Sequence, residues 1–317
     1  MIFFILTGAF FFCVASDAEA SQRGFRSGVD IVSIAATVID KDGNFVTDLN
    51  ANDFEIVEEG VEQRISYFAG GEMDRASLPP LHIGLLFDTS GSMQADLKLS
   101  QRGAVRFLNA LTDAVDITFV DFDTEVRVGR YGQADFPRLV ERIRLRKSDG
   151  WTALYDALGV YLDGASGQQG RKILIIYSDG GDTRSSLTRH EIFDLLRASD
   201  VTVYTIGFLE HQPRSVKTML RSDLSRIAKI TGGHALFPRS LDDLDEMYDR
   251  VSEEIGAQYN LGFIPSEQIS DGSWRKLKIK LTGQNDKKYE VRARQGYFAP
   301  YFPPTAENED VEPRLGP

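Results

Sequence analysis

Cysteine is almost absent from this sequence. Its 317 residues include one cysteine, Cys13, which lies in an apolar stretch at the start of the chain. If that stretch is removed as a leader, no cysteine remains, which excludes disulfide bonds and thiolate chemistry. Bulky Phe12 stands where a lipoprotein leader would have a small residue, which disfavours lipidation. The mature chain must therefore rely on its core, and a hydrophobic content of 42% is enough to form one.

Basic residues are also fewer than acidic ones. The chain has 36 lysines and arginines against 47 acidic residues, a net charge of -11. A nucleic-acid binder needs a cationic surface that displaces counterions from the phosphates. We therefore predict no nucleic-acid partner and no adsorption to an anionic membrane face.

The motifs of common enzymes are missing as well. The four histidines are scattered, and the sequence has no nucleophile-base-acid set, no Gly-x-x-x-x-Gly-Lys and no Gly-x-Gly-x-x-Gly. Because the main enzyme mechanisms lack their residues, we predict that the protein is not an enzyme.

Residues 1–20 are typical of a signal peptide, although they contain no lysine or arginine. Residues 2–15 are almost entirely apolar, and Ala18-Glu19-Ala20 offers a small-x-small cleavage site. The alternative is an uncleaved anchor, but the run of about 14 residues is short of the roughly 20 that span a bilayer. We predict a secreted, periplasmic or cell-envelope protein that contacts a membrane only through an uncleaved leader.

Two segments of β-strand pattern flank the middle of the chain. Residues 21–80 contain predicted strands at 30–39, 45–46, 54–58 and 65–68, and residues 258–302 contain strands at 259–264, 276–282 and 289–294. Each segment is too small to bury a core alone. We predict that they form one β-sandwich interrupted by residues 81–257; two separate β extensions are the alternative. Residues 303–317 have the composition of a disordered tail.

Residues 81–257 alternate between strands and helices. Residues 81–87 and 172–177 are nearly continuous apolar runs, as expected for parallel strands buried on both faces. Helical spacing occurs at 97–111, 136–145, 153–162, 188–198, 224–231 and 241–255. The pattern predicts an α/β domain with a doubly wound, mostly parallel sheet.

Oxygen-bearing side chains follow the two apolar strands. Asp88-Thr89-Ser90-Gly91-Ser92 follows the first, Asp179 follows the second, and Thr152 lies in the loop before the helix that leads to the second. Ligands of such sheets bind beyond the carboxyl ends of the strands, where the strand order reverses. Two carboxylates and three hydroxyls without histidine or cysteine suit a hard cation such as Mg²⁺. We therefore predict a metal site formed by Asp88, Ser90, Ser92, Thr152 and Asp179; turns and helix caps are the structural alternative.

This combination resembles the von Willebrand factor A domain with its metal-ion-dependent adhesion site, over residues 81–256. The resemblance rests on Asp88-Thr89-Ser90-Gly91-Ser92, on Thr152 within Gly-x-Thr-Ala-Leu-Tyr-Asp-Ala, and on Ser178-Asp179-Gly180. It implies that the five residues hold Mg²⁺ or Mn²⁺ and that a ligand carboxylate completes the shell. The flanks resemble secreted bacterial proteins with such a domain, of the type named from Acidobacteria.

The leading hypothesis is an extracytoplasmic adhesion or protein-binding module that captures an exposed carboxylate of a protein partner. A metal-assisted hydrolase, an envelope scaffold and a metal that only holds loops are the alternatives. Near the site, Trp151 is either a partner anchor or a loop-packing residue, and residues 182–186 are expected to be a solvated loop. We also expect a loop role for Asp121 and Asp123, and a solvated face for the five cations of residues 138–147.

Overall fold

The computed structural model describes residues 31–71, 78–110, 113–267, 271–283 and 285–301. The predicted leader at 1–20 and the predicted tail at 303–317 lie outside these described residues. Within the described part of the chain, no helix has both the length and the apolar character needed to cross a membrane.

Strands from the two flanking segments form two four-stranded sheets. Their bounds are β1 Val32–Ile39, β2 Phe54–Glu58, β3 Val61–Gln63 and β4 Ile65–Ala69 before the α/β domain, and β11 Tyr259–Phe263, β12 Trp274–Leu281, β13 Glu290–Ala293 and β14 Gly296–Phe298 after it. One sheet has the order β13-β1-β11-β4 and the other β14-β12-β2-β3, with antiparallel pairing throughout. Each sheet contains strands from both segments, so neither segment could form its sheet alone.

The sandwich encloses a core of its own. Alternate residues of β1 and β2 point inward, including Ile34, Phe54 and Ile56, and they pack with Tyr259 and Leu261 of β11. This arrangement confirms the predicted sandwich with an inserted α/β domain, whereas the exact domain boundaries stay a prediction. Residues 45–46 do not form the predicted strand, because Phe45 makes only an isolated bridge to Ile39.

The inserted domain has a central six-stranded sheet of order β10-β9-β8-β5-β6-β7. Its strands are β5 Leu81–Asp88, β6 Ala114–Phe122, β7 Val126–Gly132, β8 Arg171–Ser178, β9 Thr202–Gly207 and β10 Ala235–Leu236. All neighbours are parallel except β6 and β7. Every residue of β5 is buried, as its unbroken apolar run predicts.

Helices cover both faces of this sheet. Their bounds are α1 Leu97–Ala110, α2 Phe136–Leu145, α3 Leu154–Ser166, α4 Arg189–Ala198, α5 Arg214–Ile230 and α6 Leu241–Ala257, and a short α7 Asn285–Lys288 belongs to the carboxyl-terminal segment. Helices α1, α2 and α6 pack on one face, and α3, α4 and α5 on the other. The prediction that the fifth helix begins near residue 224 is wrong, because α5 begins at Arg214. Thr188 and Glu191 form a capping box at the start of α4.

A buried carboxylate joins the α/β domain to the sandwich. Glu254 of α6 lies 2.8 Å from the guanidinium of Arg292 on β13 and 3.3 Å from the hydroxyl of Thr37 on β1. The hydroxyl of Tyr204 on β9 also donates to Glu254, at 3.0 Å. Through these contacts, β1 and β13 of the sandwich and β9 of the α/β domain are all joined to the carboxylate of Glu254.

Candidate metal-binding site

Two neighbouring strands end at the candidate site. Strands β5 and β8 pair in parallel, with Phe87 opposite Tyr177, so their carboxyl ends lie side by side. The last residue of β5 is Asp88, and the last of β8 is Ser178, whose hydroxyl donates to Asp88 Oδ2 at 2.5 Å. Asp179 follows immediately. The structure thus brings the two predicted aspartates to one edge of the sheet.

The loop after β5 folds back over its own aspartate. The Ser90 amide donates to Asp88 Oδ1 at 2.9 Å, and a short 3₁₀ turn, Gly91–Gln94, follows. The hydroxyl oxygens of Ser90 and Ser92 lie 3.0 Å apart, within hydrogen-bonding distance. The Asp-x-Ser-x-Ser spacing therefore places one carboxylate and two hydroxyls together.

A second loop carries Thr152 to this edge. Backbone hydrogen bonds from Gly91 to Gly150 and from Asp149 to Thr89, of 3.0 and 2.9 Å, hold the two loops side by side. The Gly91 position allows this close approach, because a Cβ there would lie 3.3 Å from the Gly150 carbonyl oxygen. Thr152 is 4% exposed, so its side chain lies within the protein at this junction.

The third loop, which begins with Asp179, also contacts the Thr152 loop. The amides of Thr183 and Arg184 donate to the Thr152 carbonyl at 2.9 and 3.0 Å, and the Thr152 amide donates to the Thr183 hydroxyl at 3.0 Å. Gly180 has a φ of 84°, in the left-handed region that favours glycine. The five predicted residues thus lie on three loops that are hydrogen-bonded to one another.

The electrostatics of the two aspartates are unusual. Both are buried, and Asp88 accepts hydrogen bonds only from Ser90 and Ser178 among the described residues. Burial, and then the charge of Asp179, raise the pKa of Asp88 to about 7. Neither carboxylate forms an ion pair with a lysine or arginine in the described part of the chain. Two adjacent buried carboxylates without a counter-charge fit a divalent cation, which would supply that charge.

Three supporting contacts were not anticipated from the sequence. Ser178 donates to Asp88, Gln212 donates to Asp179 Oδ2 at 2.9 Å, and the Ser148 hydroxyl donates to the Ser90 carbonyl at 2.5 Å. Ser178 stands beside Asp179 in the sequence, which is a usable signal. Gln212 lies 33 residues beyond Asp179, in a loop without a motif, and nothing in the sequence connects them.

A comparison with protein-family models decides the family. The model of the von Willebrand factor type A domain matches residues 82–250, more than half of the chain. The chain belongs to the von Willebrand factor type A domain family. No match was found among curated proteins.

Solved structures resemble the chain at low identity. A von Willebrand factor type A protein from Catenulispora acidiphila has 13% identity and a TM-score of 0.48, over 87% of this chain and 75% of its own. The vWF domain of the pilus tip protein Mfa5 from Porphyromonas gingivalis has 14% identity and a TM-score of 0.46, over 61% and 99%. The pilus adhesin SpaC from Lactobacillus rhamnosus GG, in an open conformation, has 11% identity and a TM-score of 0.47, over 82% and 49%.

The loop at residues 182–186, beside the candidate site, is hydrogen-bonded to the start of α3. Asp182 accepts hydrogen bonds from the Tyr155 amide at 3.2 Å and the Ser185 hydroxyl at 2.5 Å. Asp156 of α3 accepts from the amides of Ser186 and Leu187. Residues 182–186 are therefore fastened to α3, but they form a loop in which Thr183, Arg184 and Ser186 are exposed, as expected for a solvated loop. Trp151 is 65% exposed.

The Asp121 region of the domain is an ion cluster. Asp121 is fully buried and contacts three guanidinium groups, those of Arg127 at 2.8 Å, Arg146 at 3.0 Å and Arg142. Asp123 pairs with Arg127 at 2.6 Å. Asp123 lies in the turn between β6 and β7, as expected, but Asp121 lies within β6, so the expected loop role is wrong for Asp121. The expectation of a solvated face is wrong for Arg142 and Arg146, which turn inward to Asp121.

Proposed function

We propose that this protein is an extracytoplasmic, non-enzymatic module that binds a protein partner through a divalent cation. Asp88, Ser90, Ser92, Thr152 and Asp179 hold Mg²⁺ or Mn²⁺, directly or through water, and the cation captures a carboxylate of the partner. The observation that carries the proposal is the pair of adjacent buried carboxylates, Asp88 and Asp179, that lack a cationic partner among the described residues. Membership of the von Willebrand factor A family supports the same ligand set.

The charge balance of the site favours an incoming acidic group. Two carboxylates neutralise a divalent cation, and the three hydroxyls add no negative charge. A cation held in this way remains electrophilic enough to bind a further carboxylate, unlike one enclosed by carboxylates alone. Because Ser92 is the exposed member of the five, the partner reaches the cation from its side.

A binding role is favoured over hydrolysis by the surroundings of the two aspartates. Among the described residues, Asp88 and Asp179 contact hydroxyls, amides and the Gln212 side chain, none of which is a general base. Metal-assisted hydrolysis needs such a base beside the cation. An extracytoplasmic location is proposed from the leader-like residues 1–20.

Titration calorimetry with Mg²⁺ and Mn²⁺ tests the metal site. Asp88→Asn and Asp179→Asn keep the shape of each side chain and remove one charge, and both should lose at least tenfold in affinity. Asp149→Asn makes the same charge change at an exposed position in a neighbouring loop and should bind like the wild type. Equal affinity in all four proteins would reject the site.

Capture of a partner needs a second experiment. Immobilised protein is exposed to a cell-envelope extract with Mg²⁺, with chelator, and with chelator followed by Mn²⁺ in excess. We expect a retained protein that chelator releases, that excess Mn²⁺ restores, and that Asp179→Asn fails to hold. Retention that ignores the chelator would favour an envelope scaffold over metal-gated binding.

A further inference from the structure

A cavity lies between the α/β domain and the sandwich. Its volume is about 220 Å³, and its lining consists of Arg197, Arg226, Lys229, Ile230, Trp274 and Gln295. Arg197 is near the end of α4, and Lys229 is near the end of α5. Both helices begin near the carboxyl ends of the parallel strands and run back, so the cavity lies at the edge of the sheet opposite to the metal site.

The charge of this cavity is opposite to that of the chain. Three of its lining residues are cations and none is acidic, whereas the whole chain carries a net charge of -11. Arg197 pairs with Asp194 at 2.7 Å, and the guanidinium of Arg226 lies 4.8 Å from the ring centroid of Phe193. Arg226 and Lys229 are exposed side chains at the mouth of the cavity, and they form no ion pair with a described residue. A concentration of positive charge in a concave site favours an anionic ligand.

One wall of the cavity is a fixed aromatic ring. The indole of Trp274 lies directly on the backbone of Gly296, where a Cβ would come within 2.3 Å of it. The ring of Phe298 packs against the indole edge-on, at 5.1 Å between centroids and an interplanar angle of 67°. Packing from two sides fixes the orientation of the indole before any ligand arrives. Trp274 and Ile230 are the apolar residues that line the cavity beside the cations.

We propose that this cavity binds a small organic anion, with the anionic group held by Arg226 and Lys229 and an apolar ring placed against Trp274. A volume of about 220 Å³ is below the roughly 300–1,000 Å³ of pockets for drug-sized ligands. It therefore suits a single ring that carries one carboxylate or phosphate ester. This site is independent of the cation site, since it shares no residue with it.

The two tryptophans of the chain make the proposal directly testable. Trp274 lines the cavity and Trp151 lies beside the metal site, so 5-fluorotryptophan gives one ¹⁹F resonance for each site. Trp151→Phe and Trp274→Phe assign the two resonances. The full chain is titrated, in chelator, with benzoate, phenyl phosphate, inorganic phosphate and benzamide. We expect saturable shifts of the Trp274 resonance with benzoate or phenyl phosphate and an unchanged Trp151 resonance.

Variants that remove positive charge distinguish binding in the cavity from weak, non-specific adsorption of anions. Arg226→Ala with Lys229→Ala should weaken binding at least tenfold, whereas Arg138→Ala with Lys147→Ala, two exposed cations near α2, should leave it unchanged. Thermal melts establish that both double variants are folded, and Lys229→Gln provides a milder test of the same charge. No shift at Trp274, equal affinity for neutral benzamide, equal affinity for inorganic phosphate alone, or undiminished binding in the Arg226 and Lys229 variant would each overturn the proposal.

Discussion

Buried carboxylates occur in two different settings in this protein. Asp121 and Glu254 lie against arginines that the chain itself supplies, and each ties several elements together. Asp88 and Asp179 lie beside each other among hydroxyls and amides, without such a counter-charge among the described residues. A buried charge is costly unless it is paired. The first setting satisfies that requirement from within the fold, and the second does not, which is why we propose a cation there.

The largest expected effect on stability comes from removing a buried carboxylate that already contacts arginines of the chain. Asp121→Asn leaves Arg142 and Arg146 without their carboxylate and leaves Arg127 with Asp123, and we expect it to lower the free energy of unfolding by about 3 kcal/mol. Asp88→Asn, measured in chelator, removes one of two mutually repelling charges and should cost little or increase stability. Urea denaturation followed by circular dichroism gives both values. Equal destabilisation by the two variants would remove the distinction between the two settings.

Cation binding should contribute a similar amount of stability to the second setting. A ligand present at 100 times its dissociation constant stabilises the folded state by about 2.7 kcal/mol. We expect Mg²⁺ or Mn²⁺ to raise the free energy of unfolding of the wild type by this amount, and that of Asp88→Asn and Asp179→Asn by at most about 1.4 kcal/mol, the value for a tenfold loss of affinity. Asp149→Asn should respond like the wild type. An undiminished stabilisation in the Asp179 variant would place the cation elsewhere.

Glu254 is a buried carboxylate that is paired within the fold, and its contribution to stability can be measured as a function of pH. Burial opposes its ionisation, but His234 and Arg292 outweigh that effect and lower its pKa below the ordinary value of 4.5. A carboxyl whose pKa is lowered by folding contributes stability above the ordinary value, and the contribution is lost as the pH falls below it. Glu254→Gln should therefore cost about 2 kcal/mol at pH 7.

The same variant should approach the wild type in acid. Because other carboxyls also titrate, the informative quantity is the difference in the free energy of unfolding between wild type and Glu254→Gln. We expect that difference to shrink between about pH 5 and pH 3. A difference that stays constant over this range would mean that the Glu254 charge does not stabilise the joint between α6 and the sandwich.

The sequence predicted most of the fold because the apolar pattern differs between its two parts. The unbroken runs of β5 and β8 indicated parallel strands buried on both faces, and the alternation in β2 indicated a strand with one buried face. The first ten residues of α5 were missed because they carry few apolar residues and because the residue before them, Pro213, has no capping side chain. The isolated bridge of Phe45 is a local contact that composition cannot distinguish from a strand.

The candidate site was predictable to the extent that its residues stand at strand ends. Asp88 and Asp179 follow two strands that were recognisable as neighbours, so their proximity followed from topology. Gln212 could not be found in this way, because its contact with Asp179 depends on how the loop after β9 folds. The inward turn of Arg142 and Arg146 was missed for a related reason, since the pairing of charges across elements leaves no periodic signal.

Ser178→Ala is the smallest change that we consider. It tests whether the site needs the hydrogen bonds that hold its aspartates, because it leaves the charge of the site unchanged. The Ser178 hydroxyl donates to Asp88 at 2.5 Å and accepts from the Gly180 amide at 2.9 Å, so it fixes one aspartate and the backbone after the other. Ser178→Ala removes both hydrogen bonds and no charge, and we expect it to lower the free energy of unfolding by about 1 kcal/mol. Residues that orient metal ligands typically contribute about 10- to 100-fold to affinity. Calorimetry should therefore show Mg²⁺ affinity reduced at least tenfold in this variant, whereas Ser178→Thr, which keeps the hydroxyl, should retain more of it. Wild-type affinity in Ser178→Ala would mean that cation binding does not depend on the orientation of Asp88 and would weaken the assignment of that residue as a ligand.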